Sequence, residues 1–276
     1  MNAADSSAQS AEPERRQPWQ PLTFGGTARF SEARLGRLLL MELIVGAFVA
    51  LAVVWFLQTN YAPVIAEAAQ KMPDGAKIQD GRLAGVPETL LSETRLIAIA
   101  VTPDESTEIG QSADAQIQLR QTNFRIGCVF SPDWGMEFSY GPQAVDLSRS
   151  AVEPQWGAWH PVLFAGCGLG VVALLYASWA LLALLYMAPA KFMAWFGDRK
   201  LTWGGAWKMC SAALMPGALL VVAAIVLYGR EVVDLIGLAC FYAGHFALGW
   251  IYVAASIPSL ERAAPPAAKN PFAAIS

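Results

Sequence analysis

The chain has 276 residues, of which 55% are hydrophobic and only 15% charged, whereas soluble domains carry roughly a quarter charged residues. A mean hydropathy of +0.39 puts the membrane class first and sets an ordinary soluble globule aside. The net charge of −3 conceals an uneven distribution along the chain, and that distribution carries the topology.

Residues 1–30 are rich in Ala, Ser, Gln, Pro and charge, without apolar periodicity, and predict a disordered tail. A secretory signal would place its apolar core near the start, and no small-x-small cleavage site follows the first apolar run. Ser31–Arg37 reads as a short entering helix capped by Ser31. Leu38–Leu57 (LLLMELIVGAFVALAVVWFL) has about the 20 residues needed to cross a bilayer core. Trp55 lies at its exit, where an indole suits the interface. The segment is expected to be an uncleaved signal anchor.

Thr59–His160 is a polar insert. Val64–Lys71 continues the first helix. Lys77–Arg82 (KIQDGR) carries an Asp80-Gly81 turn signal, and Leu96–Thr102, Gln116–Gln121, Asn123–Ser131 and Met136–Tyr140 read as short strands. These predict one small α+β or β domain with a core of Ile97, Ile99, Val101, Ile117, Leu119, Phe124, Ile126 and Phe138. Gly141–Gly157 is expected to be an irregular linker. Four cysteines occur in the chain, and Cys128 alone lies in the insert, so core packing rather than an internal disulfide must hold that domain.

Three more spans follow: Pro161–Met187, overlong and therefore tilted or projecting, then Met209–Tyr228 and Val232–Ile257. A charged, aromatic hinge over residues 188–208 separates the first two of these, and Gly229-Arg230-Glu231 joins the last pair as a hairpin. Residues 261–276 predict a second disordered tail.

With the N-terminus in the cytoplasm, the inner face holds Arg15, Arg16, Arg29, Arg34, Arg37, Lys191, Arg199, Lys200, Lys208, Arg262 and Lys269. These are 11 of the 19 basic residues, and the short outer loop carries Arg230 alone. Short loops and span flanks dominate the positive-inside rule. Both termini and the hinge are therefore expected inside, and the insert outside, in a bacterial inner membrane. The insert carries 7 basic and 13 acidic side chains, a balance that repels phosphate backbones and excludes nucleic acid as its partner. A cation or basic peptide is electrostatically compatible, and an ordinary solvated acidic face is the simpler account.

No HExxH, GxSxG, P-loop or paired CxxC pattern occurs, so the common signatures of metalloproteases, serine hydrolases, NTPases and zinc ribbons are absent. Gly166-Cys-Gly-Leu-Gly170 lacks a preceding strand and reads as helix packing, as do Gly237, Gly244 and Gly249. Glu231 and Asp234 suit the N-terminal end of the last helix. Asp104, Glu105 and Glu108 read as a solvated loop rather than a calcium site, which needs about six closely placed oxygens. No catalytic, cofactor-binding or metal residue is assigned.

The candidate intramembrane polar site comprises His245, Glu42 and Tyr176, with Pro216 as a helix kink. His245 lies about 11 residues, roughly 16 Å, from the inner end of its span, and Glu42 only about four residues, roughly 6 Å. That mismatch argues against a direct pair. Tyr176, Ser178 and Tyr242 are closer partners for a neutral imidazole. An interhelical hydrogen-bonding role for His245 is favoured over a proton site.

Lys200–Lys208 (KLTWGGAWK), followed by Ala212-Ala-Leu-Met-Pro216, resembles the motif of Yip-type and related uncharacterised bacterial multi-pass membrane families. In these a basic, aromatic loop leads into a helix carrying Ala-x-x-Pro. Met72-Pro73 and Asp80-Gly81 are similar to the start of the extracytoplasmic segment of a bacterial relative. The resemblance implies a multi-pass architecture and no enzymatic activity. The fold class expected is thus a mainly α membrane protein, with four transmembrane helices and a small extracytoplasmic α+β or β insert between helices 1 and 2. The expected role is a non-enzymatic scaffold or sensor in the lipid bilayer, with a membrane or envelope protein as partner and the oligomeric state open. An accessory subunit of a transporter, or a small transporter using the His245/Pro216 region, is the alternative.

Overall fold

A computed structural model describes residues 20–103 and 112–263, without the side chains of residues 131–134. The expectations for residues 1–19, for Asp104, Glu105 and Glu108, and for residues 264–276 fall outside them. The chain is mainly helical, with four helices long and apolar enough to cross a membrane: Leu35–Gln70, Arg149–Phe196, Trp203–Gly229 and Leu235–Ser259. Small sheets lie between the first and second. The chain divides into two compact units, one of Met1–Glu42, Trp179–Gly217 and Phe246–Ser276, the other of Leu43–Ser178 and Ala218–His245.

The first unit opens with a correction. Part of the segment expected to be disordered is helix α1, Phe24–Arg29, where the Thr23 side chain accepts from the Gly26 amide at 3.1 Å. Gly26 has no room for a side chain, since a Cβ there would come 2.0 Å from the Gln20 carbonyl oxygen. Ser31 is not a cap but sits inside a 3-10 turn, Phe30–Glu32. Helix α2 then runs Leu35–Phe56.

The centre of this unit is the first half of helix α5, Trp203–Gly229. Met209, Cys210, Ser211, Ala212, Ala213, Leu214 and Met215 are all buried on every side of the helix. A helix apolar all round belongs in an interior. Around it, Nζ of Lys208 donates to the Ala33 carbonyl at 2.7 Å. The indole of Trp207 donates to Ala180 at 3.2 Å. A Cβ added at Gly249 would meet Leu214 at 3.0 Å.

The hinge expected over residues 188–208 is much shorter. Helix α4 spans Arg149–Phe196 without a break, and α5 begins at Trp203, leaving only Gly197–Thr202 outside helix. The helix runs on through Pro189, which removes one backbone donor there, and ends only before Gly197. The short connection is pinned by backbone pairing to the segment after helix α6 (Leu235–Ser256). There the Lys200 amide donates to Glu261 and the Ala263 amide to Asp198, each at 2.8 Å.

In the second unit α2 passes through one π-helical turn, Leu57–Tyr61, into α3, Ala62–Gln70. The sheet domain follows. Strands β1 (Lys77–Gln79) and β2 (Arg82–Ala84) form a hairpin, joined on its other side by β8 (Val145–Asp146). Asp80 and Gly81 both have positive φ, 51° and 71°. This is the two-residue primed turn that an Asp-Gly pair favours.

The larger sheet has the order β3-β4-β5-β6-β7. Its strands are Thr89–Glu93, Ile97–Val101, Ala115–Leu119, Asn123–Cys128 and Ser131–Ser139. The pair β4–β5 is parallel and the others antiparallel. Val64, Ala68 and Met72 pack on Leu91, Ile97, Ile99 and Val101 to make the core. The linker expected over residues 141–157 is corrected as well: α4 begins at Arg149, with Ser148 accepting the first helical amides.

Candidate functional site

The core expected for the insert is half right. Ile97, Ile99 and Val101 are buried, and Ile117 and Leu119 pack partly against them. Ile126 and Phe138 are 36% and 42% exposed, and Phe124 is half-buried. The register explains the difference. Ile117 stands opposite Ile126, which stands opposite Met136, while Leu119, Phe124 and Phe138 form the next row. Paired residues share a face, so all six project on the side that α3 occupies. Helix α3 covers β3 and β4 and reaches only partway over β5. The apolar rows on β6 and β7 run on past the helix, and among the described residues Ile126, Met136 and Phe138 there stay exposed.

This face ends in Met136, 61% exposed, and in Phe138, whose ring stacks on Phe124 at 4.8 Å. Among the described residues β7 pairs only with β6, so its second edge offers backbone donors and acceptors to an extended chain. The reverse face differs in character. Gln118, Arg125 and Glu137 form a polar row there, and Arg120 pairs with Glu137 at 3.1 Å. One side of β6–β7 is thus polar and the other apolar.

The base of the sheet is fixed. Tyr228, near the end of α5, donates its hydroxyl to Oδ2 of Asp114 at 2.9 Å. Arg95 donates to the Val233 carbonyl at 3.1 Å. The amide of Val129, in the β6–β7 turn, donates to the Asp114 carbonyl at 3.1 Å. The open face is therefore held in a set position on the α5–α6 turn.

Glu42 and His245 belong to different compact units. Glu42 is 3% exposed in the first unit, and its Oε1 accepts from the hydroxyl of Ser211 on α5. Ser211 is a partner the sequence reading missed. The signal was the acid itself, since a buried carboxyl requires a donor. His245 belongs to the second unit, where Nδ1 engages the carbonyl of Tyr242 one turn earlier in its own helix. The Ser178 hydroxyl donates to Leu175 at 2.9 Å within α4, and Tyr176 lies half-buried on the same helix. Pro216 lies inside α5, which continues on both sides. Lacking an N–H, it leaves the Ala212 carbonyl without its helical donor. Among the described residues no group of three or more His, Cys, Asp or Glu is placed to hold a metal ion.

No family model, curated protein or solved structure matches the chain.

Proposed function

We propose that the chain is a four-span integral membrane protein of a bacterial inner membrane, with the two tails and the 197–202 connection on the cytoplasmic side. Its β-domain stands outside and recognises a protein of the membrane or envelope, and the protein itself catalyses no reaction. Four long apolar helices and the clustering of basic residues at one end of them support the topology. The likeness of residues 200–216 to Yip-type and related bacterial families belongs to the same reading and bears on architecture.

The observation that carries the function is the open apolar face of β6–β7, ending at Ile126, Met136 and Phe138, beside the free edge of β7. A contiguous apolar patch on an otherwise acidic domain marks an interaction site. An extended segment with alternating apolar residues would add to β7 as a strand and lay those residues on Met136 and Phe138. The partner would then be a protein chain rather than a small solute.

Photocrosslinking in intact cells tests this, with p-benzoyl-phenylalanine in place of Met136. The expected result is one discrete adduct with another envelope protein, diminished by Phe138→Asp. Adducts only with a second copy of the chain would make the face a self-association surface. Absence of any protein adduct would remove the recognition role.

The buried pair Glu42–Ser211 supports the second reading, an accessory or transport role, since a carboxyl deep among apolar helices is a recurrent ion-path element. Flux through liposomes that is abolished by Glu42→Gln would favour it.

A further inference from the structure

The end of α4 and the start of α5 frame a groove of about 390 Å³ lined by Ala188, Lys191, Phe192, Trp195, Arg199 and Trp203. Two cations and three aromatic rings occupy this wall, and no acid does. Nζ of Lys191 donates to the Leu201 carbonyl and lies 6.0 Å from the centroid of the Trp203 ring. Nη1 of Arg199 donates to the Leu260 carbonyl at 2.8 Å.

A carbonyl fixes a cation's position but does not neutralise it. The ion pairs Lys71–Glu67, Arg120–Glu137 and Arg149–Glu153 do not include Lys191 or Arg199. The ammonium keeps two further donors and the guanidinium four. Backbone pairing on either side of Arg199, from Asp198 to Ala263 and from Lys200 to Glu261, holds the guanidinium in place before any ligand arrives. Little ordering cost then remains for binding.

The rings set the kind of ligand. Trp195 and Phe196 are 70% and 79% exposed at the end of a long apolar helix. Amphipathic rings in that position belong at the level of lipid headgroups. An inorganic anion would use the two cations and leave the aromatic walls wet. A molecule with a phosphodiester and an adjoining apolar part would use both.

We propose that this groove is a binding site for the headgroup of an anionic phospholipid of the cytoplasmic leaflet. Lys191 and Arg199 donate to the phosphodiester oxygens, and Trp195 and Trp203 flank the glycerol and the first acyl carbons. Basic pockets beside transmembrane helices on the cytoplasmic side are suited to such headgroups. A zwitterionic headgroup would bring a third cation to a wall that already holds two unneutralised ones. The proposal rests on the membrane reading above and goes beyond it by naming a ligand.

Native mass spectrometry of the delipidated full-length protein tests it, with phosphatidylglycerol, phosphatidylcholine of the same acyl chains, and glycerol 3-phosphate as probes. Phosphatidylglycerol is expected to bind at concentrations about tenfold lower than phosphatidylcholine, the scale of one to two basic residues acting on an anionic lipid. Lys191→Gln should reduce that preference, Lys191→Gln with Arg199→Gln should abolish it, and Arg230→Gln should leave it intact. Arg199→Gln also loses the bond to Leu260, so the wild-type protein supplies a second measurement. A phosphatidylglycerol carrying a photoreactive headgroup should label peptides from residues 188–203. Lipid retention without headgroup preference, or labelling elsewhere, overturns the site while the membrane reading stands. Competition by glycerol 3-phosphate as strong as by the lipid overturns the lipid assignment. A protein that stays monodisperse without detergent and retains no lipid overturns the membrane reading itself.

Discussion

The hydroxyl of Tyr228 lies 2.9 Å from Oδ2 of Asp114, joining the C-terminal end of α5 to the residue just before β5. A phenol donating to a carboxylate is a charge-assisted bond, and such bonds contribute about 1.5–3 kcal/mol. Tyr228→Phe keeps the ring, which stacks on Phe56 at 5.5 Å, and removes only the donor. Faster hydrogen exchange is expected at the amides of β5, with the helices unchanged. Equal protection in the two proteins would mean that the sheet is held by other contacts.

The core under α3 should respond to truncation in the usual way. Leu91 and Ile97 are each 1% exposed, and removing such a side chain to Ala costs about 2–5 kcal/mol. Leu91→Ala and Ile97→Ala are expected to lower the unfolding temperature of the β-domain. Met136→Ala and Phe138→Ala on the open face should change it little. A comparable loss at Met136 would show that the face is covered within the chain.

Glu42 and Ser211 make a sharper pair of substitutions. Glu42→Gln retains an acceptor for the Ser211 hydroxyl and nearly the same volume, so thermal stability in detergent should stay close to that of the parent. Ser211→Ala leaves a buried carboxyl without that donor and is expected to cost about 1–3 kcal/mol. Stability losses in the reverse order would indicate that the charge of Glu42, rather than its hydrogen bond, matters to the bundle.

Gly229 allows α5 to approach α2. A Cβ there would lie 2.9 Å from Phe56 and 3.0 Å from both Asn60 and Trp55. Overpacking of this kind costs about 1–3 kcal/mol. Gly229→Ala should therefore lower thermal stability, whereas Gly166→Ala, where nothing lies within 4 Å, should not.

Two groups in the β-domain set its pH limits. Burial pushes the Tyr140 phenol up to about 12, and its hydroxyl donates to the Arg120 carbonyl at 3.1 Å. A raised folded value means that the stabilising term is complete below the unfolded value near 10 and is lost as pH climbs towards 12. The Asp146 carboxyl lies below its ordinary value because the backbone and then the side chain of Ser148 donate to it. Its term is present above the unfolded value near 3.8 and is lost as pH falls through the lowered one. Tyr140→Phe should remove one of the late-titrating groups from the tyrosinate absorbance. Asp146→Asn should flatten the acid limb of stability alone.

Long apolar runs announced the helices, and Asp80-Gly81 announced its hairpin, because both signals are local. Four of the strands were visible through alternation at Ile97, Ile117, Phe124 and Phe138. β3 was not, since Thr89–Glu93 (TLLSE) lacks alternation and has Thr89 as its one β-branched residue, although Gly85 and Pro87 mark a turn before it. The extent of the core was hidden for another reason. Alternation at Ile126 and Phe138 says which face is apolar, but which strands α3 covers is a matter of tertiary reach. The Lys191–Arg199 groove was equally hidden, because in sequence its cations look like topology charges and their carbonyl partners lie at Leu201 and Leu260. For Glu42 the acid itself called for a donor, but which one was hidden, because a serine in an apolar helix carries no sign of what faces it.

The Nε2 of Gln70, at the end of α3, lies 3.5 Å from Oε1 of Glu153 in the first turns of α4, and Ala62, Ala66 and Ala69 share a groove with Trp156, Gly157 and His160. The chain thus departs from the helices and rejoins them at one doorway. Two helices that meet there hold the ends of the intervening segment together, and the entropy of closing that long loop is already met before any strand pairs. Helix α3 therefore serves twice, as the tether of the sheet domain and, through Val64, Ala68 and Met72, as one wall of its core.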